Sequence, residues 1–594
     1  MAFRPTAPAP PPAPAPHPPH RADPAGAVAD SAHLGDIVGA LGTIRRDDPA
    51  RPRGLRRRLR ALLVVMGPGL IVMVGDNDAG GVATYTQAGQ NYGMALLWTL
   101  ALLIPVLYVN QEMVVRLGAV TGAGHARLIF QRFGRFWGVF SVADLLLVNT
   151  LTLVTEFIGV SQALGHLGVP RAAAVPLAAV LLLAVVAGGS FRRWERFLFA
   201  LIALDALVLP MALLAHPRAD ESAAGLVPRF PGGLDSTLLL VIVAVVGTTV
   251  APWQLFFQQS NVVDKRITPR WIRYARADLA IGIAVVIGGA VALMATAASV
   301  LHPTELAGQF TDAGAVAEGL SRHGGRTLGV LFALVLLNAS LIGANAVGLA
   351  TGYTLGDAFG HRHSLHWNPL RAPLFYAGYA VPIALAAAVC LSADAHLQGL
   401  ITQGVQALAG VLLPSATVFL LLLCNDRPVL GPWVNTRRQN ITAGVIVWTL
   451  VLLSLALTAA TLFPDLTTAQ LTWGFAAGAF LGLVGGTLIA LHAQYTEQTA
   501  RIDAFLARHA KASPGPTGEA WLMQVQHPDG SALNRAERRT ALAQDRTRWR
   551  TPALETLPRP RMSAQRTAGL LTLRGYLLLA VALIAVKTLQ LSTG

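Results

Sequence analysis

Charge is scarce in this chain: 13% of its 594 residues are Asp, Glu, Lys or Arg, against 53% hydrophobic residues. That balance excludes a set of soluble domains and indicates a polytopic all-α membrane protein whose core is the helix bundle itself. Cysteine is scarcer still. Cys390 and Cys424 lie in or beside apolar runs, which excludes a disulfide framework and a cysteine-based metal cluster. The first 30 residues are Pro/Ala-rich without an apolar h-region, so no cleavable signal peptide is expected. HExxH, GxSxG and a phosphate-binding glycine loop are all missing, which argues against an enzyme. No cofactor is expected. The net charge of +15 does not point to nucleic acid, because the arginines sit in short segments between apolar runs, where they set orientation. The partner expected is the lipid bilayer, and no obligate protein partner is indicated.

Apolar runs of spanning length, about 20 residues, fall at 62–89, 94–118, 137–164, 173–190, 197–215, 237–260, 278–300, 328–352, 373–392, 398–424, 440–463 and 472–494. They predict a twelve-helix transporter domain over residues 61–494. The charges between the runs test that count. Loops expected on one side carry Arg127, Arg132, Arg135, Arg192, Arg193, Arg196, Lys265, Arg266, Arg270, Arg273, Arg276, Arg362, Arg371, Arg427, Arg437 and Arg438. The alternate loops carry chiefly Arg171, Arg218, Arg229, Arg322 and Arg326. With the basic block from Arg45 to Arg60 before the first run, the positive-inside rule places the N-terminus in the cytoplasm and the chain in the cell (inner) membrane. Residues 1–60, opening on PTAPAPPPAPAPHPP, are expected to be disordered. Residues 495–566 read as a polar cytoplasmic segment. The last apolar run, 568–591, contains Arg574 and reads as a thirteenth span in preference to an interfacial helix.

The first run is broken. Inside GPGLIVMVGDNDAGG, from Gly67 to Gly81, the residues Gly75, Asp76, Asn77, Asp78, Ala79, Gly80 and Gly81 interrupt the apolar sequence with two carboxylates. A charge at bilayer depth costs roughly 2.5 to 3.5 kcal/mol even on the insertion scale, so such groups face a partner, a cavity or an ion. Unwound backbone at that depth builds the ion sites of secondary transporters, and a cation site centred on Asp78 follows. The sixth run contains VVGTTVAPWQLFFQQS, where Gly247, Thr248, Thr249 and Pro252 are poor residues for a helix interior. Two breaks five spans apart predict an inverted repeat of about 61–215 and 236–424, followed by further helices. Among other acids in the runs, Glu112 and Arg116 are expected to pair; for Asp144 and Asp205 gating, proton leak and an interhelical hydrogen bond are open, with the hydrogen bond favoured. His17, His20, His216, His302, His361 and His363 read as solvated residues of tails and loops.

At these residues the chain resembles the NRAMP divalent-metal transporters. GPG followed by Asp78-Ala79-Gly80-Gly81 is similar to the family's GPG and Asp-Pro-Gly-Asn signature. Arg116-Leu117-Gly118 with Thr121-Gly122, Glu156-Phe157-Ile158-Gly159, Gln406 eight residues before Pro414, and Asn425-Asp426-Arg427 fall in the matching order. Ala251-Pro252-Trp253-Gln254 stands where that family usually has Met-Pro-His-Asn. The resemblance implies a LeuT-like 5+5 inverted repeat with two or three C-terminal helices, and a metal bound between helices one and six.

The departures from that family shape the expectation of function. Asp78 fits the metal-binding aspartate, but Gly81 replaces the asparagine ligand and Ala251 the methionine. Without the soft thioether, and with fewer direct ligands, the site suits Mg²⁺, which keeps several waters. The pattern resembles the NRAMP-related magnesium branch, with the ion at Asp78, Ala79, Gly81, Thr248, Ala251 and Gln406. Asp76, Asn77, Glu156 and Trp253 are candidates for gating or coupling. The family's proton-route positions read Leu153, Trp253 and Gln258, none of them titratable, so a Mg²⁺ carrier with weak or no proton coupling is expected. The alternatives are a proton-coupled Mn²⁺/Fe²⁺ symporter and, from another class, a cation channel.

Overall fold

The computed structural model describes residues 27–46 without 29, 54–509 without 234, 464 and 465, and residues 546, 549–557, 567, 569–571 and 573–575. Most of the expected polar segment 495–566 and of the expected thirteenth span lies outside the described residues. The stretch 27–46, expected to be disordered, is folded. It forms a hairpin of β1 (Ile37–Gly39) and β2 (Gly42–Ile44), antiparallel with Val38 opposite Thr43. Its sequence, DSAHLGDIVGALGTI, has left the Pro/Ala repeat behind, and Ala27, Ala32, Ile37 and Ala40 are buried against the bundle.

The helices follow in order. α1 (Leu55–Val65), α2 (Pro68–Val74) and α3 (Ala79–Tyr92) lead to α4 (Leu97–Thr121), α5 (His125–Phe133), α6 (Arg135–His166), α7 (Arg171–Ala187), α8 (Phe191–Leu204), α9 (Val208–Leu214) and the short α10 (Ala219–Ala224). The second set is α11 (Ser236–Thr249), α12 (Pro252–Asp264), α13 (Ile272–Val300), α14 (Ala313–His323), α15 (Arg326–Phe359), α16 (Pro373–Ser392) and α17 (Ala395–Cys424). The short α18 (Arg427–Leu430), α19 (Arg437–Leu462) and α20 (Thr468–His509) complete it. Among the described residues ten helices are long and apolar enough to cross a membrane, with α8–α9 and α11–α12 each counted as one. The other two expected spans are α7, of 17 residues, and the broken α2–α3, of 7 and 14.

Both expected breaks are present. Helix one divides into α2 and α3 around Gly75 to Asp78, and helix six into α11 and α12 at Val250 and Ala251, where Pro252 occupies the first turn of α12. Proline is tolerated there because that position has no intrahelical N–H bond to lose. α3 packs on α11, and α2 on α12, so the two breaks face each other. α13 lies along α2, α3 and α4, and α15 along α6, which closes the bundle around them.

The face on which α1 and the hairpin lie is held by buried charge. Lys265 is 2.5 Å from the Glu195 carboxylate and donates to the Met66 carbonyl at 2.5 Å, while Glu195 also accepts from the Ala40 N–H of the hairpin turn. Asp278 accepts from the N–H groups of Gly67, Gly69 and Leu70 at 3.2, 2.6 and 3.1 Å, so a carboxylate caps the positive end of α2. Gly67 has φ 150°, and a Cβ there would lie 2.2 Å from Glu195, so glycine is required twice over. Glu112 pairs as expected with Arg116, at 3.3 Å, and also with Arg276, at 2.5 Å.

Candidate metal-ion site at the helix breaks

Asp78 is the N-cap of α3. Its Oδ1 accepts from the Gly81 N–H at 2.7 Å, and the next residue, Ala79, donates its N–H to Glu156 Oε2 at 3.1 Å. The sequence forces this arrangement: four unpaired N–H groups at a new helix start need acceptors, and Asp is among the best at that position. The result is two carboxylates drawn to one helix N-terminus in the middle of the bundle. They are close neighbours, since a Cβ on Gly343 of α15 would lie 2.8 Å from Asp78 Cβ and 2.7 Å from Glu156 Oε1. Helix three can approach because residue 159 is glycine, where a Cβ would meet the Ala79 methyl at 2.5 Å.

Opposite, α11 ends on Thr248 and Thr249. The Thr249 hydroxyl bonds the Val245 carbonyl at 2.6 Å and the Tyr85 hydroxyl at 2.8 Å, while the buried Thr248 Oγ1 has no hydrogen-bond partner among the described residues. A Cβ on Gly81 would lie 2.9 Å from the Asp76 carbonyl oxygen and 3.3 Å from Thr248 Oγ1. Residue 81 therefore has no room for an asparagine in this conformation, and its backbone stands against the threonine. Gln406 of α17 lies over the break, since a Cβ on Gly80 would overlap its side-chain amide at 1.7 Å. Its Nε2 is buried without a partner, and because amide N and O positions are interchangeable in such an assignment, this group can offer an oxygen to an ion.

The expected site residues divide into two groups. Asp78, Gly81, Thr248 and Gln406 come together with Glu156, and Ala79 contributes its N–H. Ala251 caps α12, and its carbonyl is taken by the Gln254 N–H at 3.2 Å; its methyl adds no donor atom. Trp253 lies 3.5 Å from the Cβ position of Gly75, at the end of α2, and packs on Phe257. Asn77 donates to the Val286 carbonyl at 3.1 Å, and Asp144 accepts from Ser415 at 2.6 Å, an interhelical hydrogen bond as expected. Sequence reading missed Gln254 and Gln111: Gln254 donates to Asp76 Oδ1 and accepts from Gln111 Nε2 at 3.0 Å. Their signal was present, since a glutamine directly follows Pro252-Trp253 and another lies just before Glu112, but nothing in one chain shows that two helices meet there.

Asp76, Asp78 and Glu156 form no ion pair with Lys, Arg or His among the described residues. Nor do the described residues include any group of three or more His, Cys, Asp or Glu side chains arranged to hold a metal. A cation at the break would therefore be completed by backbone, hydroxyl and amide oxygens. A family model described as natural resistance-associated macrophage protein-like, Nramp, matches residues 69–460, more than half of the chain. The chain belongs to the Nramp family.

Nramp proteins are membrane transporters and not enzymes. The Divalent metal cation transporter MntH of Burkholderia ambifaria is 29% identical over 432 residues, which is 70% of this chain and 91% of that protein. MntH 1 of Pseudomonas aeruginosa is 30% identical over 397 residues, covering 64% of this chain and 87% of that one. A crystal structure of a mutant Eremococcus coleocola manganese transporter aligns at TM-score 0.60 and 20% identity, over 77% of this chain and 96% of that one. This likeness shows the expected LeuT-like fold. The expected magnesium branch is not supported: these relatives are named for divalent metal cations and manganese, and the missing thioether alone does not outweigh them.

Proposed function

We propose that this Nramp protein carries a divalent transition-metal cation, Mn²⁺ first, across the plasma membrane together with protons, by alternating access to a site between the breaks of helices one and six. The observation that carries the reading is the meeting of the Asp78 and Glu156 carboxylates at the N-terminus of α3, beneath Thr248 and Gln406. Mn²⁺ is a fairly hard ion that accepts carboxylate, carbonyl and water oxygens, so the loss of methionine at Ala251 leaves it a competent ligand set. Two adjacent carboxylates also give an arriving ion one group to bind and a second that can take or release a proton. What supports manganese over magnesium, against the order drawn from the sequence, is the likeness to transporters named for divalent metal cations and manganese.

Mg²⁺ uptake without protons is the second reading, favoured by the hard, sparse ligands around Gly81 and Ala251. Its energetics suffice, because a divalent ion gains about 4.6 kcal/mol per 100 mV, more than a thousandfold in concentration ratio. The deciding experiment is uptake into proteoliposomes under an inside-negative potential, with Mn²⁺ and Mg²⁺ offered separately and internal pH recorded. Saturable Mn²⁺ entry with acidification, lost in Asp78→Ala, is the expected result. Mg²⁺ entry without acidification selects the second reading, and conductance without saturation would make the protein a channel.

A further inference from the structure

Asp76 is fully buried, two residues before Asp78, and belongs to the other half of the break. Its backbone N–H closes the last turn of α2 on the Met73 carbonyl at 3.2 Å, and its Oδ1 accepts from Gln254 in the first turn of α12. Among the described residues its Oδ2 has no hydrogen-bond partner, and neither has Gln111 Oε1 at the end of the chain Asp76, Gln254, Gln111. The same chain of carboxamides joins helices one, six and two at one point. Along α12 the polar face continues: Gln258 and Asn261 are fully buried with both side-chain N and O atoms unpartnered. Positions 254, 258 and 261 lie on one helix face. α2, which packs on α12, reads PGLIVMV and has no polar side chain to offer them.

A buried carboxylate oxygen and several buried amides left without partners are costly in a bilayer. They are accounted for if another group occupies them during the cycle. We propose that Asp76, with the carboxamides of Gln254 and Gln111, is a second station for the divalent cation, entered from Asp78 on the way along α12 to the face that carries the hairpin. Gln254 holds the Asp76 carboxylate in place, and the atoms it leaves open to an ion are the oxygens Asp76 Oδ2 and Gln111 Oε1, so the station takes a hard divalent ion with most of its water shell retained. Gln258 and Asn261 continue the path beyond it. Asp78 with Glu156 is the site of residence, and Asp76 is the site of passage. This deepens the transport reading and rests on it.

The test uses the full-length protein, with MnCl₂ binding by calorimetry in detergent and Mn²⁺ uptake in proteoliposomes. Asp76→Asn keeps the hydrogen bond to Gln254 and removes only the charge. The expected result is a Kd within about threefold of wild type, because residence at Asp78 is untouched, with a maximal uptake rate at least tenfold lower. Gln111→Leu lowers the rate in the same direction by a smaller factor. Uptake by Asp76→Asn within twofold of wild type overturns the proposal, and so does loss of binding together with uptake, which would make Asp76 part of a single site. Should Asp76→Asn fail to fold, Gln111→Leu, which leaves the carboxylate in place, decides by the same two readouts. A wild type that neither binds nor moves Mn²⁺ or Mg²⁺ removes the transport reading itself, and the station with it, while Mn²⁺ uptake abolished by Asp78→Ala but indifferent to Asp76→Asn removes the station alone.

Discussion

Two groups of buried carboxylates sit at opposite ends of α2 and α12, and they are treated differently. On the hairpin face Asp264, Asp30 and Glu195 are each answered. Asp264 accepts from the Tyr353 hydroxyl at 2.5 Å, the Leu365 N–H at 3.0 Å and the Ser364 hydroxyl; Asp30 accepts from the N–H groups of Ala32 and His363, each at 2.9 Å, and from the Trp367 indole; Glu195 holds Lys265. At the helix breaks Asp76 and Glu156 each keep an oxygen without a hydrogen-bond partner among the described residues, as do the Thr248 hydroxyl and Gln406 Nε2 beside them. A satisfied buried polar network rigidifies a structure, whereas an unsatisfied one is a cost the fold tolerates where function needs it. The first group locks the N-terminal segment to α8, α12 and the loop before α16. The second is where the proposed transport cycle puts the ion.

That contrast predicts opposite mutational signatures. The largest effect is on transport: Asp78→Ala is expected to abolish metal uptake while destabilising the metal-free protein by no more than the loss of one N-cap, about 1 kcal/mol, because the same substitution removes a buried carboxylate. A much larger drop in the thermal midpoint would make Asp78 chiefly a structural cap and would end the comparison. Next is the reverse case. Lys265→Met leaves Glu195 buried without its cation, and breaking such a pair typically costs about 3 to 5 kcal/mol, so denaturation in detergent should show strong destabilisation whatever metal is present.

Smaller again is Asp264→Asn, which keeps the shape but weakens the charge-assisted bonds to Tyr353 and Ser364. About 1 to 3 kcal/mol is expected from bonds of that kind, seen as faster proteolysis of the hairpin without change in metal Kd. The smallest effect is a pH dependence on the hairpin face. Burial works against charge on His363, but the Asp357 carboxylate 3.1 Å away outweighs it and raises His363 to about 9. A raised folded value stabilises fully below the ordinary 6.5 and is lost as pH rises through about 9. Proteolytic protection of residues 27–46 should therefore fall between pH 7 and 10, and His363→Gln should remove that part of the slope.

The fold was largely legible because a membrane writes it into the chain. Runs of about 20 apolar residues, arginine-bearing loops and two interruptions five spans apart are local features, and each follows from the cost of leaving charge or backbone unsatisfied in hydrocarbon. Asp78 was legible for the same reason, as a carboxylate where none is affordable without a partner. Glu156 was only suggested, by resemblance. Gln111 and Gln254 were not legible as a pair, because 143 positions separate them and neither carries a charge that needs explaining. The hairpin was misread: the low-complexity repeat was extended across residues 27–46, although Asp30, Ile37 and the apolar residues around them can find partners.

By itself, the sequence determined the helical membrane class, the two breaks and the presence of carboxylates in the apolar runs, since burial in lipid penalises each residue wherever its neighbours lie. The tertiary structure alone decided which carboxylates are answered and which are left open. Asp264 and Asp76 are the same residue type, both buried on or beside α12; Tyr353 and Ser364 approach one and make it a strut, whereas the second oxygen of the other meets no partner among the described residues, which is what makes it the proposed station for a cation.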